Sequence, residues 1–365
     1  MAGSVFGTLF RVSTWGESHG LGIGVVVDGC PASLPLWESC IQKDLDRRKP
    51  GQSVFTTKRA EDDRVEILSG VFEGVTTGTP ISMLIRNQDQ RSKDYGPIAE
   101  IFRPGHADYG YHCKYGLRDY RGGGRSSGRE TAGRVAAGAV AKKILQQLGV
   151  SIMAYTHSIG HIGITNFNPE EIMQNPLSMP DKDAYAKAAS YVQACVENKD
   201  SVGGVVECVV KGLPPGIGEP VFDKLDALLS HAIMSIGGVK GIEFGAGFAA
   251  AASKGSLNND PFFCEGQNTV QKQTNHAGGV LGGMSDGDSL VLRAAFKPTP
   301  SIGCEQQTVN QRGENVTVNI QGRHDPLIVP RAVVVVEAMT AIALADLMMI
   351  NAVSRIDSLK KVYSR

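Results

Sequence analysis

The sequence predicts an α+β protein, and three observations carry that reading. Strand-like and helix-like segments intermix along the 365 residues without the regular alternation that a doubly wound parallel sheet requires. Two long segments, 127–148 and 332–350, have the small-residue or apolar content of buried helices. Glycine supplies 44 residues, well above the usual share of about 7%. Its groups, such as Gly122-Gly123-Gly124 and Gly278-Gly279, mark tight turns or backbone close to a ligand.

The elements follow in order. Residues 5–12 and 22–28 read as a strand pair, the second rich in Val25, Val26 and Val27 and ended by Asp28-Gly29. Residues 36–47 read as a helix from the spacing of Leu36, Cys40, Ile41 and Leu45. It closes on Arg47-Arg48-Lys49, and Pro50-Gly51 stops it. Residues 64–86 read as two strands joined by Gly-Thr turns. The segment 87–125 has no clean period, and irregular stretches this long are more often functional than not.

The small residues Ala132, Gly133, Ala136, Ala137, Gly138, Ala139 and Ala141 predict close packing of the 127–148 helix. An exposed helix over 181–198 and a strand over 203–211 come next. After the Pro214-Pro215-Gly216 turn, a helix is expected over 221–234. Segments 239–251, 289–296 and the apolar part of 314–321 read as strands. Glu337 and Asp346 interrupt the apolar run of 332–350, so a buried helix is expected there rather than a membrane span.

Composition narrows the function. With 37 basic and 37 acidic side chains, the chain lacks the basic excess of a general nucleic-acid or membrane-surface binder. Seven cysteines, none spaced as C-x-x-C, predict reduced thiols in a cytoplasmic protein and no zinc ribbon. The N-terminus has no basic start followed by an apolar run, so no targeting segment is expected.

Six short constellations could carry chemistry. Gly16-Glu17-Ser18-His19-Gly20 places a hydroxyl beside an imidazole, or is simply a turn with a satisfied histidine. Arg103-Pro104-Gly105-His106-Ala107-Asp108 holds His106 between a cation and an anion, which suits an acid; a polar loop packed on itself is the alternative. The Arg121–Thr131 segment carries a glycine-rich loop into a helix, with Arg121, Arg125 and Arg129 adding forked donors. That is an anion site by its physics, and it is not a Walker A loop; a solvated RGG-like tail is the alternative. Arg47-Arg48-Lys49 could bind anions or only suit a helix end. Lys297-Pro298-Thr299-Pro300-Ser301 suits a phosphate or a flavin edge, or is an ordinary loop. Arg323-His324-Asp325-Pro326 pairs a carboxylate-binding arginine with a proton acceptor, or forms a surface ion pair. Arginine, histidine and backbone N–H recur, so the expected ligand is a small polyanion, or two side by side. An RNA-binding module using the Arg/Gly loop is the rival reading, disfavoured by neutral charge and scarce aromatics.

Together these motifs resemble the chorismate synthase family. GESHGLGIGVVVDGCP at 16–31, GRSSGRETAGRVAAGAV at 124–140 and RHDPLIVPRAVVVVEAM at 323–339 appear in order, with FRPGHADY, NHAGGVLGGMSDG and KPTPS between them. The resemblance spans about residues 5–350. It implies a β-α-β sandwich with sheets flanking an internal helical layer, a single domain over 1–365 without a separate reductase domain, and a cytoplasmic homotetramer. It implies a lyase that eliminates phosphate from 5-enolpyruvylshikimate 3-phosphate to give chorismate. The reaction requires reduced FMN without net redox change. An external flavin reductase is the expected electron source, and NADPH is a candidate reductant.

The resemblance also assigns roles. His19 would protonate the departing phosphate, His106 would protonate the reduced flavin, and Asp325 would act in removing the ring proton. Ser18 and Ser127 would support them. Arg48, Arg129 and Arg323 would hold substrate anions. Arg125, Ser126, Ser127, Gly237, Gly238, Gly282, Gly283, Lys297, Pro298, Thr299, Pro300, Ser301 and Arg323 would cradle FMN. No metal is implied, and no nucleic acid or membrane partner. The chain departs from the family pattern at Val54, Leu327 and Gly237-Gly238.

Overall fold

The computed structural model describes residues 3–51, 55, 61–88, 96, 98–266, 269–320 and 325–364. Its first half holds β1 (Val5–Phe6), β2 (Arg11–Gly16), β3 (Gly22–Asp28), α1 (Glu38–Arg48) and β4 (Val65–Ile67). The hairpin β5 (Val71–Phe72) and β6 (Val75–Thr76) follows, then β7 (Ile81–Arg86), α2 (Asp108–Tyr115) and α3 (Thr131–Gln147). β1, β2, β3, β7 and β4 lie in that order in one antiparallel sheet.

The second half continues with β8 (Ser151–Ile159), β9 (Ile162–Gly163), α4 (Lys182–Glu197), β10 (Gly204–Lys211), α5 (Leu225–Met234) and β11 (Val239–Phe244). Then come α6 (Gly255–Asn258), the hairpins β12 (Phe262–Glu265) with β13 (Thr269–Lys272) and β14 (Val280–Leu281) with β15 (Met284–Ser285), and β16 (Leu290–Phe296). The hairpin β17 (Glu305–Val309) with β18 (Asn315–Asn319) precedes α7 (Val329–Asn351) and α8 (Ile356–Tyr363). β11, β16, β10, β8 and β9 form a second antiparallel sheet.

Side-chain alternation explains why these sheets face inward. Leu290, Leu292, Ala294 and Phe296 of β16, and Val206, Cys208 and Val210 of β10, are buried on one face. Helices α3 and α7 pack on each other between the sheets, α3 reaching β2, β3 and β7, and α7 reaching β8 and β10. The architecture is therefore α+β, with a helical layer between sheets. The small residues of α3 permit this, because a Cβ at Gly138 would strike Ala338 of α7. α7 is long and apolar enough to cross a membrane, with mean hydropathy 2.1, but 83% of its most apolar window is buried in the protein. It is a core helix here.

Several expectations are corrected. The 5–12 strand is broken, because Gly7 takes φ +91° and Asp346 of α7 accepts from the N–H groups of Thr8, Leu9 and Phe10. Residues 64–86 hold four short strands, not two. Residues 221–224 are a turn with Val221 at φ +73°, so the helix starts at Leu225. The 239–251 strand stops at Phe244, where Gly245 and Gly247 turn left-handed into a 3₁₀ segment. α2 lies inside the 87–125 stretch expected to be irregular. Strand β8, the short hairpins of 262–285, β17 and α8 were not anticipated.

Candidate active site

The site starts at the end of α1. Arg48 is 1% exposed, and its guanidinium pairs with Asp63, with Nε 3.1 Å from Oδ2. Arg129, in the turn before α3, pairs with the other oxygen of Asp63 and donates from Nε to Asn87 Oδ1 at 2.5 Å. One carboxylate thus bridges both predicted anion-binding arginines. Burial works to raise the Asp63 carboxyl, but Arg48 and Arg129 outweigh it and hold it below the usual range. Burial pushes Arg48 down to about 10, against the pull of Asp63.

Arg331, in the first turn of α7, pairs with Asp325 and donates from Nε to the Arg48 carbonyl at 2.9 Å. This pairing ties Asp325 to the arginine cluster. The motif reading missed Arg331 and Asp63, although the Pro330-Arg331 start of α7 and the acidic run at 61–63 were visible signals.

The glycine turn lies between the two predicted catalytic histidines. Gly122, Gly123 and Gly124 all have positive φ, which only glycine adopts without strain. A Cβ at Gly122 would lie 2.7 Å from both Ser18 Oγ and His19 Cδ2. A Cβ at Gly123 would lie 3.1 Å from His106 Cε1. His106 lines the large cavity described next, whereas Ser18 and His19 sit behind Gly122 and are absent from its wall. The Ser18 hydroxyl is buried and, among the described residues, has no hydrogen-bond partner.

The loop after that turn is anchored by its own side chains. Arg125 donates to Thr14 Oγ1 at 2.7 Å and to the Gly16 carbonyl at 3.1 Å, fixing the loop to β2. Ser126 Oγ donates to the Gly123 carbonyl at 2.7 Å, and Ser127 Oγ accepts from the Arg129 N–H at 3.3 Å. All three line the cavity, but their polar groups already serve the loop. Lys297 donates from Nζ to the Gly105 carbonyl; burial first, then Lys240, lowers its ammonium. The Thr299 hydroxyl is buried and, among the described residues, has no partner.

These elements enclose a cavity of about 1140 Å³. Eight basic side chains line it, Arg48, Arg103, Lys114, Arg125, Arg129, Arg134, Lys297 and Arg331, against the acids Glu61, Glu130 and Asp325. Phe6, Ile328, Val335 and Met339 add apolar surface to the lining, which also includes Gly237 and Gly238. Among the described residues no group of His, Cys, Asp and Glu could hold a metal ion.

Lys297 to Ser301, Gly237 and Gly238 are brought to this cavity. Gly282 and Gly283 are not: they form the two-residue turn between β14 and β15, with φ +62° and +91°, away from the lining. Their glycine character meets the positive φ of that hairpin turn. Leu327 is fully buried in the core. Arg323 and Val54 lie outside the described residues.

The sequence model of the family described as chorismate synthase matches residues 10–349. A chorismate synthase of Lachnoclostridium phytofermentans is 60% identical over the whole of both chains. One from the archaeon Methanocella arvoryzae is 56% identical over 97% of each. A crystal structure titled as chorismate synthase superposes with TM-score 0.77 at 32% identity, covering 98% of this chain and 96% of that one.

Proposed function

The chain belongs to the chorismate synthase family, and from that premise we propose that its cavity takes 5-enolpyruvylshikimate 3-phosphate beside reduced FMN. The observation that carries this is the lining: eight basic side chains face one cavity in a chain of zero net charge. A substrate with one phosphate and two carboxylates meets that excess through charge-assisted, bidentate bonds. The cavity, about 1140 Å³, lies just above the roughly 300–1,000 Å³ usual for a single small ligand.

Three features support a flavin as the second ligand. The apolar surface of the lining suits a flat ring. Gly237 has open space where a Cβ would stand. The buried Thr299 hydroxyl, which has no hydrogen-bond partner among the described residues, and Lys297 provide polar contacts. Lys297 to Ser301 with Gly237 and Gly238 would hold the group. What bound reduced flavin adds is transient electron supply without net redox change.

The chain's own residues handle position and protons. Arg48 and Arg129, with Arg331 beside them, orient the anions. Asp325, held by Arg331, accepts the ring proton as the carbon–oxygen bond to phosphate breaks and a new double bond forms. His19, packed against Gly122 and off the cavity wall, takes the role of protonating the departing phosphate from the family resemblance. His106 presents its Cε1–Nε2 edge to the glycine turn and manages the proton at Nε2. The same reading includes a cytoplasmic homotetramer and an outside reductant, either a flavin reductase or NADPH. It treats residues 1–365 as one domain, supported by a hydrophobic core that runs through both sheets.

The test is anaerobic turnover with chemically reduced FMN and no nicotinamide. Phosphate and chorismate should form in equal amounts. His106→Ala should nearly abolish both while the fold and FMN binding persist. A folded, FMN-binding wild-type chain that makes neither product would end the proposal.

A further inference from the structure

The loop that carries His106 contains a second group whose arrangement determines what the histidine can do. Asp108 starts α2, and its carboxylate is buried with a side-chain exposure of 3%. Its Oδ2 accepts from Arg103 Nε at 2.7 Å and from the Arg103 N–H at 3.1 Å. Its Oδ1 accepts from a second Arg103 nitrogen at 2.9 Å and lies 3.1 Å from an Arg118 nitrogen. Arg118 also donates to the carbonyls of Ile98, Ala99 and Ile101, at 2.7 to 3.0 Å. Burial works to raise the Asp108 carboxyl, but Arg103 and His106 outweigh it, so the group is a carboxylate.

His106 Nδ1 lies 2.9 Å from Asp108 Oδ1 and 3.0 Å from the Arg103 terminal nitrogen. Both contacts cannot be hydrogen bonds in a neutral ring. If Nδ1 were bare, it would accept from Arg103 and its lone pair would face a carboxylate at 2.9 Å. Nothing in that geometry relieves the repulsion. If Nδ1 carries the proton, it donates to Oδ1, and the neighbouring Arg103 nitrogen already aims a hydrogen at the same oxygen. The second arrangement is the stable one.

We infer that Asp108 is a positioning residue that holds the proton on His106 Nδ1, so that only Nε2 exchanges a proton with ligands in the cavity. Among the described residues, the charged groups within hydrogen-bond distance of the ring are Asp108 and Arg103; Arg118 stands against the same Asp108 carboxylate, and Lys297 donates to the carbonyl of the neighbouring Gly105. Asp108 alone among them is an anion. This deepens the role proposed for His106 and rests on it only for its effect on turnover.

The test is ¹⁵N–¹H correlation of histidine-labelled full-length protein between pH 6 and 9. His106 would be assigned by the signals lost in His106→Gln. The nitrogen that stays protonated should be Nδ1. A His106 lone pair on Nδ1 at any pH in that range overturns the inference, and this result needs no turnover. Asp108→Asn should then lower kcat for chorismate formation by about 10²-fold with KM and FMN affinity kept, and a second tautomer should appear. A kcat within about threefold of wild type in a folded Asp108→Asn protein also overturns it. Should that variant not fold, the wild-type tautomer decides alone.

Discussion

Arg47 and Arg48 are neighbours at the end of α1, about 100° apart around the helix, and they serve different parts of the molecule. Arg47 turns into the helical layer. It forks onto Glu337 of α7 at 2.6 and 2.8 Å, where Lys142 of α3 and the Ala154 N–H complete the carboxylate's bonding. Arg48 turns to the cavity wall and shares Asp63 with Arg129. The Arg47 cluster is closed by groups of its own chain, with Asp44 balancing the second cation. The cavity wall is less balanced: its eight basic side chains outnumber Glu61, Glu130 and Asp325 on the lining even with Asp63 and Asp108 counted behind it. A buried charge completed by the fold is structural, and a cationic excess facing a cavity calls for an anion.

The largest effect should come from breaking the closed cluster. Glu337→Ala leaves Arg47 and Lys142 with Asp44 as their one remaining carboxylate among the described residues and should cost about 3–5 kcal/mol of stability, read by urea unfolding. Turnover per folded chain should hold. Its loss at unchanged stability would reverse the two roles.

The next effect lies on the cavity side. Arg129→Ala removes a charged donor and should weaken substrate binding by about tenfold or more, while Asp63 keeps Arg48. Unchanged affinity by calorimetry would take Arg129 out of the site. Gly138→Val crowds Ala338 where α3 crosses α7, next to Glu337 along α7 and one turn before Lys142 on α3, and away from the cavity arginines. It should cost about 1–3 kcal/mol and leave KM alone.

Acid should act on both clusters in the same direction. Burial opposes ionisation of Asp63 and Glu337, but their cationic partners outweigh it and hold both carboxyls below the usual range. Their stabilisation is complete above about pH 4.5 and is lost as pH falls below it. The melting temperature should therefore drop from pH 5 to 3, less steeply in Glu337→Gln. A flat profile in wild type would contradict these partnerships.

The two clusters also differ in how far the sequence reveals them. The Arg47-Arg48-Lys49 run reads as a helix end with possible anion binding, and nothing local separates the two arginines. Their fates depend on Glu337 and Asp63, one of them 290 residues away from Arg47 along the chain. The buried helices were legible because small and apolar residues repeat through them. His106 and its partner Asp108 were legible because both lie in one six-residue motif. The position of His19 behind Gly122 was not, since it depends on a turn about a hundred residues later. At Gly282-Gly283 the sequence leaves the role open, because a hairpin turn and a ligand cradle both call for glycine.

One calorimetric comparison separates the two arginines. Wild type, Arg47→Gln and Arg48→Gln would each be titrated with 5-enolpyruvylshikimate 3-phosphate, and their melting temperatures recorded. Arg48→Gln should lose about tenfold or more in affinity, while Arg47→Gln keeps its affinity and melts lower. Equal affinity losses in both variants, or a loss in Arg47→Gln alone, would contradict the division between a closed structural cluster and an open anion site.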